Sequence, residues 1–136
     1  MNWNRLQLWA PRMLAVLRIV AGLIFLEHGT QKLLGWPPGD YAGIPLDSMP
    51  AYAGVIELVA GLLITIGLFT RPAAFVASGT MAVAYWMAHA PQNPFPLNNG
   101  GDAAILYCFV FLYLVFAGAG PWSVDALRER RETAVT

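Results

Sequence analysis

The sequence predicts an all-α fold in which four transmembrane helices form a bundle, and three observations support this prediction. Of the 136 residues, 57% are hydrophobic and only 12% are charged, whereas about a quarter of the residues in soluble domains are charged. The apolar residues gather in four segments of roughly 18 to 22 residues, long enough as helices to span a ~30 Å hydrocarbon core. Basic residues flank these segments asymmetrically. The four segments are residues 13–34, 52–69, 73–90 and 103–120.

The first segment, residues 13–34, is interpreted as a retained membrane helix rather than as a cleaved signal peptide. Its apolar run is long and contains Arg18, and no small-residue cleavage site precedes a polar region. Arg18 lies near the start of the helix, where its long side chain is expected to extend to the lipid headgroups. The other end of the segment carries four polar side chains, those of Glu27, His28, Gln31 and Lys32.

The second segment, residues 52–69, carries Glu57 on a helical face that also contains glycine. A similar glycine-containing face of the first segment lies beside His28 and Lys32. Small residues on such faces allow two membrane helices to approach closely. The sequence therefore predicts that Glu57 lies opposite His28 or Lys32. The glycines concerned are Gly22 and Gly29 on the first segment and Gly54 and Gly61 on the second.

The third and fourth segments also place polar residues near their ends. Residues 73–90 contain small residues at four-residue steps, a pattern suited to tight helix contact, and end with Tyr85 and His89 in the last two turns. Residues 103–120 begin beside Asp102. These two segments therefore add further candidates for a polar site at one end of the bundle.

The distribution of basic residues predicts the orientation of the chain. They precede the first segment, lie in the tight link between the second and third, and follow the fourth, while the two longer connections contain none. By the positive-inside rule, both termini are then cytoplasmic, residues 121–136 form a cytoplasmic tail, and the longer connections face outward. The basic residues in question are Arg5, Arg12, Arg71, Arg128, Arg130 and Arg131.

This orientation places polar side chains from all four segments in one layer near the outer surface. An unpaired carboxylate costs ~2.5 kcal/mol or more in the middle of a membrane helix, so such residues usually form pairs or take part in function. The layer is interpreted as a ligand pocket, with Glu27 and Glu57 as candidate proton-handling residues. The candidate ligand-binding residues are His28, Gln31, Lys32, Glu57, Tyr85, His89, Asn98, Asn99 and Asp102.

Simpler interpretations of the same residues stay open. Lys32 can extend to the outer headgroups, His89 and Asp102 can border helix ends, and Glu27 can face water. A pair between Glu57 and either His28 or Lys32 can also act as a structural lock that fixes the helix register.

Several classes of chemistry lack a signal in the sequence. Eight basic and eight acidic residues balance, so no net positive field points to nucleic acid. There is no haem-type histidine pair, cysteine cluster or glycine-rich nucleotide loop, and no metal site is expected. The single cysteine, Cys108, cannot form a disulfide within the chain and is interpreted as a small buried apolar residue.

The chain resembles the DoxX family of small bacterial membrane proteins over nearly its whole length. Asp102 stands where the family is associated with glutamate, which keeps the charge but shortens the side chain. The motifs that carry the resemblance are Arg18 with Gly22 and Leu23, HGTQKL at 28–33, GVIEL at 54–58, GLFTRPAA at 67–74, FPLNNGG at 95–101, AAILY at 103–107 and GAGPWSVD at 118–125.

The resemblance implies a four-helix bundle in the bacterial cytoplasmic (inner) membrane. It also implies an association with redox chemistry, through relatives similar to a subunit of a thiosulfate:quinone oxidoreductase. The resulting hypothesis is a redox-linked subunit that binds a quinone, or a similar small lipophilic molecule, in the outer polar layer. Besides membrane lipid, the expected partners are a protein redox partner, which must supply any electrons, or further copies of the chain.

Two other functions remain open at this stage, and so does the question of whether the protein is an enzyme. The first is a non-catalytic scaffold or assembly subunit, in which the polar layer only holds the helices together. The second is a carrier for a small molecule. Prolines and glycines interrupt many transporter helices near mid-membrane, but here they lie mainly in the connections.

Overall fold

The computed structural model describes residues 3–135, which are all-α and include no β-strand. Four long helices form the body of the molecule, and three shorter ones precede, connect or follow them. The helices are α1 (Trp3–Gln7), α2 (Ala10–Leu34), α3 (Met49–Ile66), α4 (Thr70–Ala84), α5 (Pro96–Asn99), α6 (Asp102–Ala117) and α7 (Val124–Val135), and a π-helical turn, Tyr85–His89, continues α4.

Proline and glycine determine where the long helices begin and end. Pro11 and Pro50 lie in the first turns of α2 and α3, where the missing proline N–H costs no intrahelical hydrogen bond. Both helices therefore begin earlier than the apolar segments suggested. Gly67 ends α3 with a φ of 70°, and its N–H donates to the carbonyl of Ile64 at 3.1 Å. Glycine adopts this left-handed conformation without the steric cost of a side chain.

The long helices form two closely packed pairs. Helix α2 lies along α3, and α4 lies along α6, while α3 also packs beside α4. Helices α2 and α6 approach each other at few points. Aromatic rings fill the space between these two helices, with the ring centres of Phe25 and Phe111 4.8 Å apart and those of Tyr107 and Phe111 5.5 Å apart.

Glycines bring the backbones of α2 and α3 into contact, as the glycine-containing faces predicted. A Cβ atom added at Gly29 would lie 2.5 Å from the backbone nitrogen of Leu58, and one added at Gly61 would lie 2.7 Å from that of Leu26. Real Cβ atoms essentially never come so close to another atom. Any side chain at these two positions therefore has to push the helices apart.

We expect Gly29→Ala to destabilise the fold by about 1–3 kcal/mol, the usual cost of overpacking a close contact. Gly79→Ala is the matched control, because a Cβ at Gly79 of α4 meets nothing within 4 Å and alanine favours the helix by up to about 1 kcal/mol. Thermal unfolding of both variants in detergent tests the prediction. Equal melting temperatures for the two variants would show that the α2–α3 backbone contact does not limit stability.

One helix of the described residues, α3, is long and apolar enough to qualify by itself as a membrane span. Helix α6 is apolar but only 16 residues long, which corresponds to ~24 Å. Helix α4 has 15 residues before the π-helical turn, and the 25-residue α2 carries charged side chains within its length.

Arg18 does not extend to the lipid headgroups, so that prediction was wrong. The side chain is completely buried, and it donates to the carbonyls of Ile64 at 2.6 Å and Thr65 at 2.5 Å, in the last turn of α3. It also donates to the carbonyls of Ala119, at 2.7 Å, and Trp122, in the segment after α6. The free carbonyls at a helix C-terminus carry partial negative charge, which favours a cation there.

The same end of the molecule contains a second arginine and a carboxylate that caps α4. Arg71 donates to the carbonyls of Val115 and Phe116 at the end of α6. The carboxylate of Asp125 accepts hydrogen bonds, both 2.9 Å long, from the backbone nitrogens of Phe69 and Thr70 at the start of α4. We call this end, formed by Arg18, Arg71, residues 67–70 and residues 118–125, the arginine end. The opposite end, with residues 35–48 and 90–101, is the loop end.

Candidate functional site

A buried ion pair joins α2 to α3 near the loop end. Lys32 Nζ lies 2.5 Å from Glu57 Oε1, and the two side chains are 16% and 3% exposed. Of the two partners that the sequence left open for Glu57, the structure selects Lys32. Gly54 makes room for the lysine, because a Cβ at Gly54 would lie 3.1 Å from Lys32 Cβ.

The pair satisfies only one of the two carboxylate oxygens. Glu57 Oε2 is buried and has no hydrogen-bond partner among the described residues. A buried charge without full hydrogen bonding is costly, so Glu57 depends strongly on Lys32. This oxygen can accept one more hydrogen bond from a water or a ligand group that enters the helix interface.

A groove of about 240 Å³ lies beside this pair, on the outer surface of α2. It is lined by Glu27, His28 and Gln31 together with Ile24 and with Pro37 from the first connection. Gln31 Nε2 donates weakly to the Pro37 carbonyl at 3.3 Å, which leaves its amide oxygen without a partner in residues 3–135. The groove therefore brings together three of the side chains that the sequence singled out.

His28 and Glu27 are the exposed polar side chains of the groove. Neither ring nitrogen of His28 has a hydrogen-bond partner within the described chain. Its ring packs edge-on against Tyr107 of α6, with ring centres 6.3 Å apart and an interplanar angle of 89°. A neutral imidazole offers one donor and one acceptor, so His28 can both donate to and accept from a bound molecule.

Tyr107 was missed as a site residue by the sequence analysis. Its ring also packs against Phe25, with ring centres 5.9 Å apart. Tyr107 therefore connects the aromatic rings packed between α2 and α6 to the imidazole of His28. The only signal in the sequence was its place in the AAILY motif at 103–107, which gives no indication that its ring faces α2.

A second group of predicted site residues has a structural role at the loop end. The ring nitrogen Nδ1 of His89 lies 2.9 Å from the carbonyl oxygen of Asn99. The Asn99 side chain is itself buried and bonds to the carbonyl of Asn93 at 2.7 Å and to the N–H of Gly101 at 2.8 Å. Tyr85 stacks on His89, with ring centres 6.5 Å apart. These contacts fold the second connection against the π-helical turn.

The remaining two candidates, Asn98 and Asp102, are exposed. Asp102 lies in the first turn of α6, where a negative charge interacts favourably with the helix dipole. Among residues 3–135, no hydrogen bond, ion pair or ring contact joins the second group to His28, Gln31, Lys32 or Glu57. The structure thus divides the predicted layer into a groove on α2, a buried pair beside it, and a separate loop network.

No three His, Cys, Asp or Glu side chains of the described residues are placed to hold a metal ion. The imidazole, amide and carboxylate groups of the groove can all form hydrogen bonds, and the imidazole and carboxylate can also exchange protons. These groups lie next to an apolar surface. Cys108 lies outside the groove. The hydroxyl of Ser78 donates to the backbone carbonyl of Cys108 at 2.8 Å.

Comparison with known proteins gives consistent matches. The model of the DoxX family matches residues 13–90. An uncharacterized protein of Haemophilus influenzae is 45% identical over 127 residues, which cover 90% of this chain and 95% of the relative. An uncharacterized membrane protein of Mycobacterium tuberculosis, Rv3486, is 30% identical over 98% of this chain and 92% of its own length. The inner membrane protein YphA of Escherichia coli is 32% identical over 85% of this chain and 89% of its own length. No solved structure matches.

Proposed function

We propose that this chain, which belongs to the DoxX family and is an integral protein of the inner membrane, binds a quinone or a similar lipophilic molecule in the His28 groove. In this proposal α2, α3, α4 with its π-helical turn, and α6 cross the membrane. Both chain termini then lie in the cytoplasm, and the loop end faces outward. The chain acts as a redox-linked subunit whose electrons come from a partner protein.

The surface of the bundle supports the four-span arrangement. Large apolar side chains are exposed along all four long helices, as lipid contact requires; examples are Val20, Val59, Val83 and Phe109. The seven arginines lie toward the arginine end, and Lys32, the one basic residue near the loop end, is paired with Glu57. The positive-inside rule therefore supports this orientation. A bilayer accommodates the shorter α6 by local thinning at a cost of fractions of a kcal/mol per Å.

The observation that carries the proposal is the unpaired imidazole of His28 in a groove of about 240 Å³. A polar side chain within a membrane helix usually has a partner or a function, and His28 has no hydrogen-bonding partner in the described chain. A quinone ring presents two carbonyl oxygens that need hydrogen-bond donors. The imidazole N–H of His28 and the amide of Gln31 are such donors, and Glu27 can exchange a proton with the water outside.

We expect His28→Ala to weaken the binding of a short-chain quinone by roughly tenfold, the loss of one hydrogen bond worth about 1.4 kcal/mol. His89→Ala is the matched control, because this second histidine bonds to the Asn99 carbonyl in the separate loop network. Quenching of tryptophan fluorescence by added decylubiquinone measures both affinities in detergent. Equal affinities in wild type and His28→Ala, with both proteins folded, would contradict the assignment of His28. A wild type without saturable binding would refute the proposed function itself.

The second candidate function is a scaffold without its own ligand, and the Lys32–Glu57 pair favours it. An ion pair only 2.5 Å long, buried between glycine-packed helices, fixes their register. In that case the polar residues near the loop end serve the fold alone. The wild-type protein in detergent then takes up no more quinone than the detergent micelles do by themselves.

A further inference from the structure

A second groove lies at the arginine end, away from the His28 groove. It is an open groove of about 490 Å³ between the start of α4, the end of α6 and one face of α7. It is lined partly by the GLFTRPAA and GAGPWSVD motifs at 67–74 and 118–125, to which no function was assigned from the sequence. We call it the α7 groove.

Charged side chains of both signs line the α7 groove. Helix α7 contributes Asp125, Arg128, Glu129 and Glu132, whose spacing of three and four residues places them on one helix face. Arg71 lines the opposite side. Among residues 3–135, the only ion pair is Lys32–Glu57, so none of the charges in the groove neutralises another by direct contact.

The two arginines are held in place with donors to spare. Arg71 Nη1 makes both hydrogen bonds to the end of α6, which leaves its Nη2 and Nε groups without a partner in the described chain. Arg128 lies over the ring of Phe69, 5.2 Å from the ring centre, a cation–π arrangement that holds the guanidinium in position. Guanidinium groups match the geometry of phosphate oxygens.

A second, independent observation marks the wall of the groove. Thr70, which lines it, is 1% exposed, and its Oγ1 has no hydrogen-bond partner among the described residues. A buried hydroxyl without a partner is costly. The start of α4, which forms one wall of the groove, therefore carries an unsatisfied polar group.

The groove opens beside apolar side chains. Phe69 is 53% exposed, and Phe116 at the end of α6 is 75% exposed. Trp122, next to the groove-lining Pro121, is 54% exposed, and indole rings favour the membrane interface. A molecule in the groove therefore has charged groups for its polar part and apolar rings for an attached chain.

We propose that the α7 groove binds the headgroup of a lipid of the phosphatidylethanolamine type, with a phosphate and a primary ammonium. The phosphate lies between Arg71 and Arg128, and the ammonium donates to the carboxylates of Glu129 and Glu132. The acyl chains extend along Phe69 and Phe116 into the inner leaflet. This inference relies on the membrane orientation given above, but it is independent of quinone binding at His28.

The mixed charge of the groove predicts its selectivity. Phosphatidylglycerol lacks the ammonium, and three carboxylates in the groove oppose a net negative headgroup. Phosphatidylcholine has a cation, but its trimethylammonium group has no N–H donor for the glutamates. We expect phosphatidylethanolamine to bind roughly tenfold more tightly than either lipid, since a hydrogen bond to a charged group typically supplies such a factor.

Native mass spectrometry of the full-length protein, with each lipid added in turn, tests this assignment. Arg128→Gln is expected to lower phosphatidylethanolamine binding by roughly tenfold, whereas Glu132→Gln is expected to reduce its preference over phosphatidylglycerol. Arg130→Gln is the matched control, because it removes the same charge from α7 but does not line the groove. It should leave binding and selectivity unchanged, and melting temperatures establish that all three variants are folded.

Two results would overturn the assignment. Equal binding of the three lipids, lowered alike by Arg128→Gln and Arg130→Gln, would show a diffuse charge effect instead of a site. Binding of free phosphoethanolamine as tight as that of the lipid would show that the groove takes a soluble zwitterion. Both results leave the quinone proposal standing, because the His28 groove and its titration are separate.

Discussion

Arg18→Met is expected to prevent accumulation of the folded protein, the largest effect of any substitution considered. The variant removes four hydrogen bonds to the carbonyls of Ile64, Thr65, Ala119 and Trp122. Each carbonyl that stays buried without a partner costs about 1–3 kcal/mol. The sum approaches the ~5–15 kcal/mol by which folded proteins are usually stable.

Arg18→Lys is not expected to restore the fold. A lysine has three donors on one nitrogen, whereas the guanidinium of Arg18 reaches carbonyls of both α3 and the segment after α6 through three different nitrogens. Partial recovery is the most that this variant can give.

Arg12→Met is the matched control for Arg18→Met. Arg12 lies on the same helix, but it is exposed and makes no side-chain hydrogen bond or ion pair within the described chain. Its guanidinium lies over the ring of Trp9, 4.8 Å from the ring centre. Expression level and melting temperature in detergent measure the difference. If Arg18→Met and Arg12→Met accumulate equally and melt alike, the arginine end is not held together by Arg18.

Lys32→Met is expected to destabilise the protein by about 3–5 kcal/mol, because it leaves a buried carboxylate without its cation. Glu57 is 2% exposed and its second oxygen already lacks a partner, so no other described group compensates. Thermal unfolding of the variant measures this loss.

The double variant Lys32→Met, Glu57→Met is expected to recover most of the lost stability. Replacing a complete buried pair by apolar side chains is often neutral or stabilising, whereas removing one partner is costly. A double-mutant cycle therefore isolates the interaction. If the two single losses simply add in the double variant, the pair is not coupled as its geometry indicates.

The double variant also separates the two candidate functions. The pair lies beside the His28 groove but does not line it, so a stably folded double variant should still bind quinone if His28 is the ligand. Loss of quinone binding in this variant would place Lys32 or Glu57 in the binding site.

Helical periodicity was enough to predict the α2–α3 interface. The spacing of Gly22, Gly29, Gly54 and Gly61 identified the contact faces, and the backbone approach confirms them. The partner of Glu57 stayed ambiguous because His28 and Lys32 share a face, four residues apart. Which of the two pairs with Glu57 depends on side-chain length and on the space beside Gly54, and a periodic pattern carries no information about either.

Arg18 could not be placed from its own helix. Its partners lie 46 to 104 residues away in sequence, and they are backbone carbonyls, which leave no trace in side-chain patterns. The available signal was indirect: the GLFT and GAGP stretches end helices with glycine and leave carbonyls in need of a donor. A lone arginine near a helix start otherwise resembles a residue that extends to the headgroups.

The family resemblance was carried by short motifs and is confirmed by the match over residues 13–90. The motifs did not reveal which polar residues serve a site. His89 and Asn99 carry the same side-chain chemistry as ligand-binding residues, but their hydrogen bonds fold a connection. Only the three-dimensional contacts distinguish them from His28.

Identification of the molecules that copurify with the protein tests the proposed function most directly. The wild type and His28→Ala are purified in mild detergent, and their bound lipophilic molecules are measured by mass spectrometry, with His89→Ala as control. We predict near-stoichiometric quinone or a similar lipophilic compound in the wild type and in His89→Ala, and its loss from folded His28→Ala. The same content in all three proteins, at the level of the surrounding detergent micelles, would contradict a ligand site at His28 and favour the scaffold.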